Sequence, residues 1–457
     1  MKKKIFLATI ISVLGLVGCS QVSEDTTTTK VLENSSTTQL VDNIKPTEIT
    51  FWHAMKGSNG EAIDRIVNSY NETQGKEKGI KVTAVFQDTK IASKVKLASS
   101  TKDMENAPDV IQTVGSDIPG ISALPEIIPA SHIFEQKNNT LKQDDFYPHL
   151  LRAFTYEKNV IGVPMNASTL LLYSNMNALK SVGVTEPPKT IDELAEVTKK
   201  LKSMDGKNGF NSEIARYQLV NFVVSQSDKN FVGDNEGGRA SRMTKYVMGE
   251  DGSLDKFLTE WQKVIETGNY KFTEDNANEE FSTGLNSMVL LSSARLGAIK
   301  KLVGDSFEWK TSFIPKVSKN DTSGASIGGS SLVLYSHDDA NRLSAAWDFI
   351  SYATSPKIQA EWSKATGYIP VNINTEKLPE MMKFYEENPN YKVALEQMKN
   401  ASPMSQEPFD LVNWEVNDII KDVMKRFAQG NISKDEAKDE IIKKSNDALS
   451  EYNRVNN

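Results

Sequence analysis

The chain has 457 residues, with 53 Lys plus Arg against 60 Asp plus Glu, a net charge of −7 and one cysteine, Cys19. An acidic chain without a basic block argues against nucleic acid as a partner and against electrostatic docking on anionic lipid. A lone thiol makes no intramolecular disulfide, and a chain this long exceeds one usual core, so two domains or lobes are expected.

Met1-Lys2-Lys3-Lys4 is followed by an apolar run from Ile5 to Val17. A basic start and a short apolar stretch have the form of a secretory signal, predicted over residues 1–18. The run falls short of the ~20 apolar residues that span a bilayer. Leu16-Val17-Gly18-Cys19 resembles the lipobox of bacterial lipoproteins. That resemblance implies cleavage before Cys19 and lipidation on its sulfur, since a thiol is what forms the thioether, and two acyl chains suffice for stable anchoring. Loss of residues 1–18, with three Lys and no acid, takes the charge from −7 to −10. Ser20 to Lys45 is rich in Ser, Thr, Asn and Gln and lacks apolar spacing, so residues 19–45 read as the lipidated Cys and a disordered tether.

The folded part is expected from Pro46. Residues 48–54 alternate as a strand, and 55–60 form a loop with two Gly. A helix follows, with Ile63, Ile66, Val67 and Tyr70 on one face. A strand over 80–86, a helix over 90–98 and a short strand over 110–113 complete an α/β unit with a mostly parallel sheet. Leu170 to Tyr173 is an apolar strand ending at Asn175. Thr190 and Glu193 form a capping box for the next helix. A helix is expected over 254–267 and strands over 287–291 and 332–335. Helices are expected over 339–354 and 356–365, and much of 381–452 is helical, with Ser433 and Glu436 as a second capping box.

Several segments carry a resemblance in order along the chain. They are Phe51-Trp52-His53-Ala54-Met55-Lys56-Gly57, Asn106-Ala107-Pro108, the strand from Pro164 to Tyr173, and Pro187-Pro188-Lys189-Thr190. Gly328-Gly329-Ser330-Ser331-Leu332 and Thr366-Gly367-Tyr368-Ile369-Pro370 complete the set. From about residue 48 to the C-terminus this resembles the glycerol-phosphate-binding proteins of ATP-driven importers, within the broader solute-binding family that also includes carbohydrate binders. The resemblance implies an α/β fold of the type II periplasmic-binding-protein kind, two lobes with an interlobe cleft and a three-segment hinge near Asn166, Gly329 and Pro370. Residues 46–166 with 329–369 would form one lobe, and 167–328 with 370–457 the other. It implies a monomer without cofactor that hands a small polar solute to permease subunits driven by a cytoplasmic ATPase. The protein would sit on the extracellular face of the cell membrane, held by its lipid.

By the same resemblance, Ser168, Ser292, Gly329 and Tyr368 occupy phosphate-binding positions; hydroxyls and bare N–H groups suit phosphate or sugar oxygens. Trp52 and His53, at the end of the first strand, are expected to line the cleft, where an aromatic would stack on a sugar or cover a glycerol chain. Asn166, Ser293 and Ser330 lie in the same motifs and are further candidates. The family's phosphate-binding Arg falls on Asp410, and the sides of the pocket, near Lys90, Gly115, Glu213 and Arg216, are also altered. Lys90, Arg216 or Arg295 are candidates for the missing positive charge. Asp117 and Asp410 are candidates to accept hydroxyls or to meet a cationic head such as choline. The ligand is therefore read as glycerol phosphate or a glycerophosphodiester, with a mono- or oligosaccharide as the alternative.

A secreted hydrolase and a surface adhesin or receptor are the competing classes. The four His show no HExxH or other metal spacing, and GxSxG and P-loop motifs are absent. The expectation is a binding protein, not an enzyme.

Overall fold

The computed structural model describes residues 38–202, 207–273 and 276–456. The leader, Cys19 and the tether up to residue 37 lie outside the described residues. Residues 38–45 correct the tether expectation, because they lie on the folded chain. The Leu40 amide donates to Gln136 Oε1 at 2.8 Å, that of Val41 to Ser344 Oγ at 2.9 Å and that of Lys45 to Asn341 Oδ1 at 2.7 Å. Leu40 and Ile44 pack on the core, which supplies the apolar reason for the segment to settle there.

The first strands, β1 (Thr47–His53), β2 (Ile80–Phe86) and β3 (Val110–Val114), form a parallel array with β1 in the middle. Helices α1 (Gly57–Glu72) and α2 (Ile91–Thr101) connect them. In α1, Ile63, Ile66, Val67 and Tyr70 are buried, as their spacing predicts. The sheet is covered on both faces: Ile49 and Phe51 enter one hydrophobic cluster, and Trp52 enters another with Val95 of α2 and Ile111 of β3.

A 13-residue strand, β4 (Val163–Asn175), is buried throughout. The chain beyond β4 adds β5 (Phe210–Asn211), β6 (Tyr270–Lys271), β7 (Met288–Ser292), β8 (Trp309–Phe313) and β9 (Ile327–Tyr335). The sheet order is β2-β1-β3-β9-β4-β7-β5-β6, and β8 also pairs with β4. The first half of β4 runs antiparallel to β9, with Ala167 opposite Gly329 and Asn166 opposite Ser330. Its second half runs antiparallel to β7 and β8. One strand thus leaves the first lobe and enters the second, and β9 returns beside it. A third segment joins them where the Ile369 amide donates to the Ala167 carbonyl at 2.7 Å.

The second lobe packs α3 (Ile191–Leu201), α4 (Arg216–Val224) and α5 (Ser253–Glu266) with α6 (Asn413–Ala428) and α7 (Lys434–Val455). Thr190 Oγ1 caps α3 by accepting from the Glu193 amide, while the Glu193 carboxylate reaches the Lys189 amide. At α7 the capping box closes reciprocally between Ser433 and Glu436. Among the described residues no helix is long and apolar enough to cross a membrane.

Candidate ligand cleft

Where β4 and β9 cross, a cavity of about 300 Å³ opens between the lobes. Its first-lobe wall is the turn after β3, at Gly115 and Ser116; the second-lobe wall is the start of α4, the segment 406–409 and the start of α6. Ser168, Gly328 and Gly329 form its floor. Gly329 has φ of 141°, and a Cβ there would stand 2.2 Å from the Asn166 carbonyl oxygen. Only glycine fits, so the floor is bare backbone at that point. A Cβ on Gly328 would stand 3.1 Å from Glu407 Oε1 and 3.7 Å from both Ser168 Oγ and Tyr217 Cε2, which gathers those three groups around it.

Tyr217 places its buried hydroxyl beside the Ser168 and Ser292 hydroxyls, without a partner of hydrogen-bond geometry among the described residues. Burial, then the Glu407 charge, pushes its pKa up, so it stays a neutral donor. Across the cleft, Asn413 Nδ2 donates to Ser116 Oγ at 2.6 Å, and Arg152 pairs with Glu236 at 2.7 Å. Trp414, 66% exposed, stands at the rim.

The charged residues correct the sequence expectations most. Asp410 is fully buried, does not line the cavity, and is neither a solvated nor a ligand-facing carboxylate. It accepts from Arg216 Nε at 3.0 Å, Arg216 Nη2 at 2.9 Å and the Tyr246 hydroxyl at 2.7 Å. Arg216 lines the cavity, as a candidate cation should, but it also donates to Glu407 at 3.1 Å and to the Pro408 carbonyl at 3.1 Å. The two carboxylates hold it charged against its burial. Burial pulls Asp410 the other way, yet three donors converging on its two oxygens are the geometry of an ionised carboxylate.

Of the remaining candidates, Ser168 and Gly329 are in the cavity wall. Ser292 caps a short turn through the Ala294 amide and faces Tyr217. Tyr368 is half-buried, stacks on Trp362 with ring centroids 5.6 Å apart, and does not line the cavity. Ser293 and Ser330 are internal braces, bonded to the Thr169 amide and to Gln112, while Asn166 accepts from the Ser330 amide through Oδ1 and its buried Nδ2 has no hydrogen-bond partner among the described residues. Trp52 and His53 do not line the cleft: they are core residues, and His53 lies 5.7 Å from Phe51 and 5.9 Å from Phe86, ring to ring. Lys90 and Arg295 are exposed, Asp117 is half-buried, and none of the three lines the cavity. Burial raises the Asp117 carboxyl to about 6 against the pull of Lys96.

Sequence reading missed Tyr217, Arg239, Glu407 and Trp414. Their sole advance signal was the Gly237-Gly238 pair before Arg239, which marks unusual backbone.

Two α/β lobes about a triple crossing, with a glycine-floored cavity at the crossing, define a protein that holds a small solute between lobes. Residues 65–393 match the family described as bacterial extracellular solute-binding protein. The chain belongs to that family. The sn-glycerol-3-phosphate-binding periplasmic protein UgpB of Yersinia pestis bv. Antiqua (strain Antiqua) is 27% identical over 367 residues, covering 78% of this chain and 82% of that one. UgpB of Salmonella typhimurium is 25% identical over 430 residues, covering 90% and 94%. Among solved structures, UgpB of Mycobacterium tuberculosis in complex with glycerophosphocholine superposes with a TM-score of 0.72 at 19% identity, covering 89% of this chain and all of that one. The sugar-binding protein MalE of Xanthomonas citri gives 0.73 at 20% identity, covering 90% and 99%.

Proposed function

We propose that this protein captures glycerol phosphate or a glycerophosphodiester outside the cell for an ATP-driven importer, binding reversibly and without catalysis. The observation that carries the reading is the cleft floor, where glycine backbone and the hydroxyls of Ser168 and Tyr217 converge. Such groups suit phosphate and glycerol oxygens, and the UgpB relatives carry a glycerol-phosphate name. A mono- or oligosaccharide is the second reading. It is favoured by Trp414, an exposed aromatic that would stack on a sugar face, and by the fold shared with MalE. In this mechanism the hinge lies at the three crossings, between residues 46–166 with 329–369 and residues 167–328 with 370–457. The closed form is what the permease subunits and their ATPase engage. Cys19 carries the lipid, residues 1–18 are removed, and the protein works as a monomer on the outer face of the membrane.

The test is a thermal-shift panel of glycerol 3-phosphate, glycerophosphocholine and several sugars on the purified protein. A ligand at a hundred times its Kd adds about 2.7 kcal/mol to stability. Stabilisation by phosphates upholds the first reading and stabilisation by sugars alone the second. No shift with any member rejects both.

A further inference from the structure

Arg239 differs from every other cation around the cleft. It is 6% exposed and lines the cavity, yet it forms no ion pair among the described residues. Its Nε donates weakly to the Arg152 carbonyl at 3.4 Å, and its guanidinium carbon lies 4.0 Å from the Phe409 ring centroid. Phe409 is itself locked in place, with its amide donating to the Gly237 carbonyl at 2.7 Å. By contrast Arg216 spends four N–H bonds on Asp410, Glu407 and Pro408. Arg152 is neutralised by Glu236. Among the described residues the cleft therefore holds one guanidinium with no carboxylate in ion-pair contact, although Glu407 and Glu236 are near enough to attract it.

The backbone is bent to deliver that group. Asn235, Glu236, Gly237 and Gly238 are successively left-handed, with φ of 52°, 56°, 66° and 83°. A Cβ on Gly238 would stand 2.8 Å from the Phe409 carbonyl oxygen, so the segment approaches the cleft wall as only glycine allows. The Arg239 carbonyl accepts from the Glu157 amide at 3.0 Å, pinning the residue to the first lobe. Burial, and then the nearby Arg152 charge, lowers the Arg239 pKa to about 9 against the pull of Glu407 and Glu236, neither of which reaches it as an ion pair.

We infer that Arg239 is the anion-binding residue of the cleft, and that the solute carries an oxyanion, a phosphate ester or a carboxylate, which its guanidinium fork receives. The inference rests on the cleft being the solute site. It also accounts for the departure at Asp410. The chain has a carboxylate where the resembling family has its phosphate-binding Arg, but that carboxylate is consumed by Arg216, and a second arginine enters from the wall formed by residues 235–239.

Calorimetric titration of the wild type, Arg239→Met and Arg239→Lys tests this, with glycerol 3-phosphate, glycerophosphocholine, glycerate, glycerol and maltose as ligands. Binding of the phosphates but not glycerate marks the oxyanion as a phosphate, and the reverse marks a carboxylate. Arg239→Met should weaken the oxyanion ligand about ten- to hundred-fold, and Arg239→Lys by less. The melting midpoint of ligand-free Arg239→Met should stay level or rise, because the stem still packs on Phe409 and a buried charge without a counter-ion is gone. Unchanged affinity in Arg239→Met overturns the inference. A wild type that takes maltose and ignores the oxyanions also overturns it, but leaves the solute-binding reading intact. A clear fall in the ligand-free midpoint of Arg239→Met makes the guanidinium a structural group and overturns it as well. A wild type that binds none of the five removes the solute reading and the inference with it.

Discussion

Replacing Asp410 by Asn tests whether this carboxylate is a counter-ion or a ligand contact. The side chain accepts three hydrogen bonds, two from Arg216 and one from Tyr246. An amide at the same place offers one oxygen where there were two and turns its NH₂ toward a guanidinium that can only donate. The charge of Arg216 is then balanced by Glu407 alone, at 3.1 Å through a single N–H. At an effective dielectric near 20, two unit charges 4 Å apart attract by about 4 kcal/mol. Breaking one partner of a buried pair costs about 3–5 kcal/mol, and the residual Glu407 contact sets the expectation near the lower end, about 3 kcal/mol. Equilibrium urea unfolding of the ligand-free protein measures it. The double replacement Arg216→Met with Asp410→Leu should recover part of the loss, since the two fully buried charges leave together and only the part-exposed Glu407 and the Tyr246 hydroxyl lose a partner. A loss below ~1 kcal/mol in Asp410→Asn, or a double variant no better than the single one, would refute the counter-ion reasoning.

Other substitutions separate floor, rim and wall. Gly329→Ala forces a Cβ to 2.2 Å from the Asn166 carbonyl at a φ of 141°; strain and overpacking together should cost about 3 kcal/mol or more, read by urea unfolding or by failure to recover folded protein. Trp414→Ala should leave stability within about 0.5 kcal/mol while weakening a stacked ligand roughly three- to ten-fold, seen by calorimetry. Asp117 is protonated more readily in the folded chain, at about 6, than its ordinary 3.8 when unfolded. Its contribution is therefore fully present below about pH 4 and is lost as pH rises through 6. Two pKa units correspond to at most about 3 kcal/mol, and partial exposure trims that to roughly 1–2, so Asp117→Asn should be more stable than wild type at pH 7 and should not gain at pH 4. Equal effects at both pH values would show that the carboxyl is not the cause.

The parts of this molecule readable from sequence are those whose causes are local. The face of α1, the cap at Thr190 and the capping box at Ser433 follow from spacings of three and four residues, and the structure realises each. The motifs at 166, 328–330 and 369 meet at the crossing because glycines and short polar side chains tolerate three backbones in contact there. Trp52 and His53 show the limit of alternation. It assigns side chains to opposite faces of β1, but both faces of this sheet are covered, so neither face leads to the ligand. The end of the tether was misread because residues 40–45 are held by Gln136, Asn341 and Ser344, partners 96 to 303 positions away that leave no periodic trace.

The cleft's charge is the least local property of all, and it shows why a pocket cannot be transferred position by position. Asp410 in place of an expected Arg reads as a pocket that repels phosphate. In three dimensions that carboxylate is cancelled by Arg216, 194 residues earlier, and Glu407 is shared with the same guanidinium. Asp410 and Glu407 together balance Arg216 and Arg239, but both carboxylates bond to Arg216, and Arg239 is left without an ion-pair contact among the described residues. A cation thus remains free of direct pairing in the cleft although the substitution that draws attention in the sequence is negative. An electrostatic reading of such a cleft has to begin with the pairing of each ion before any residue is assigned to the ligand.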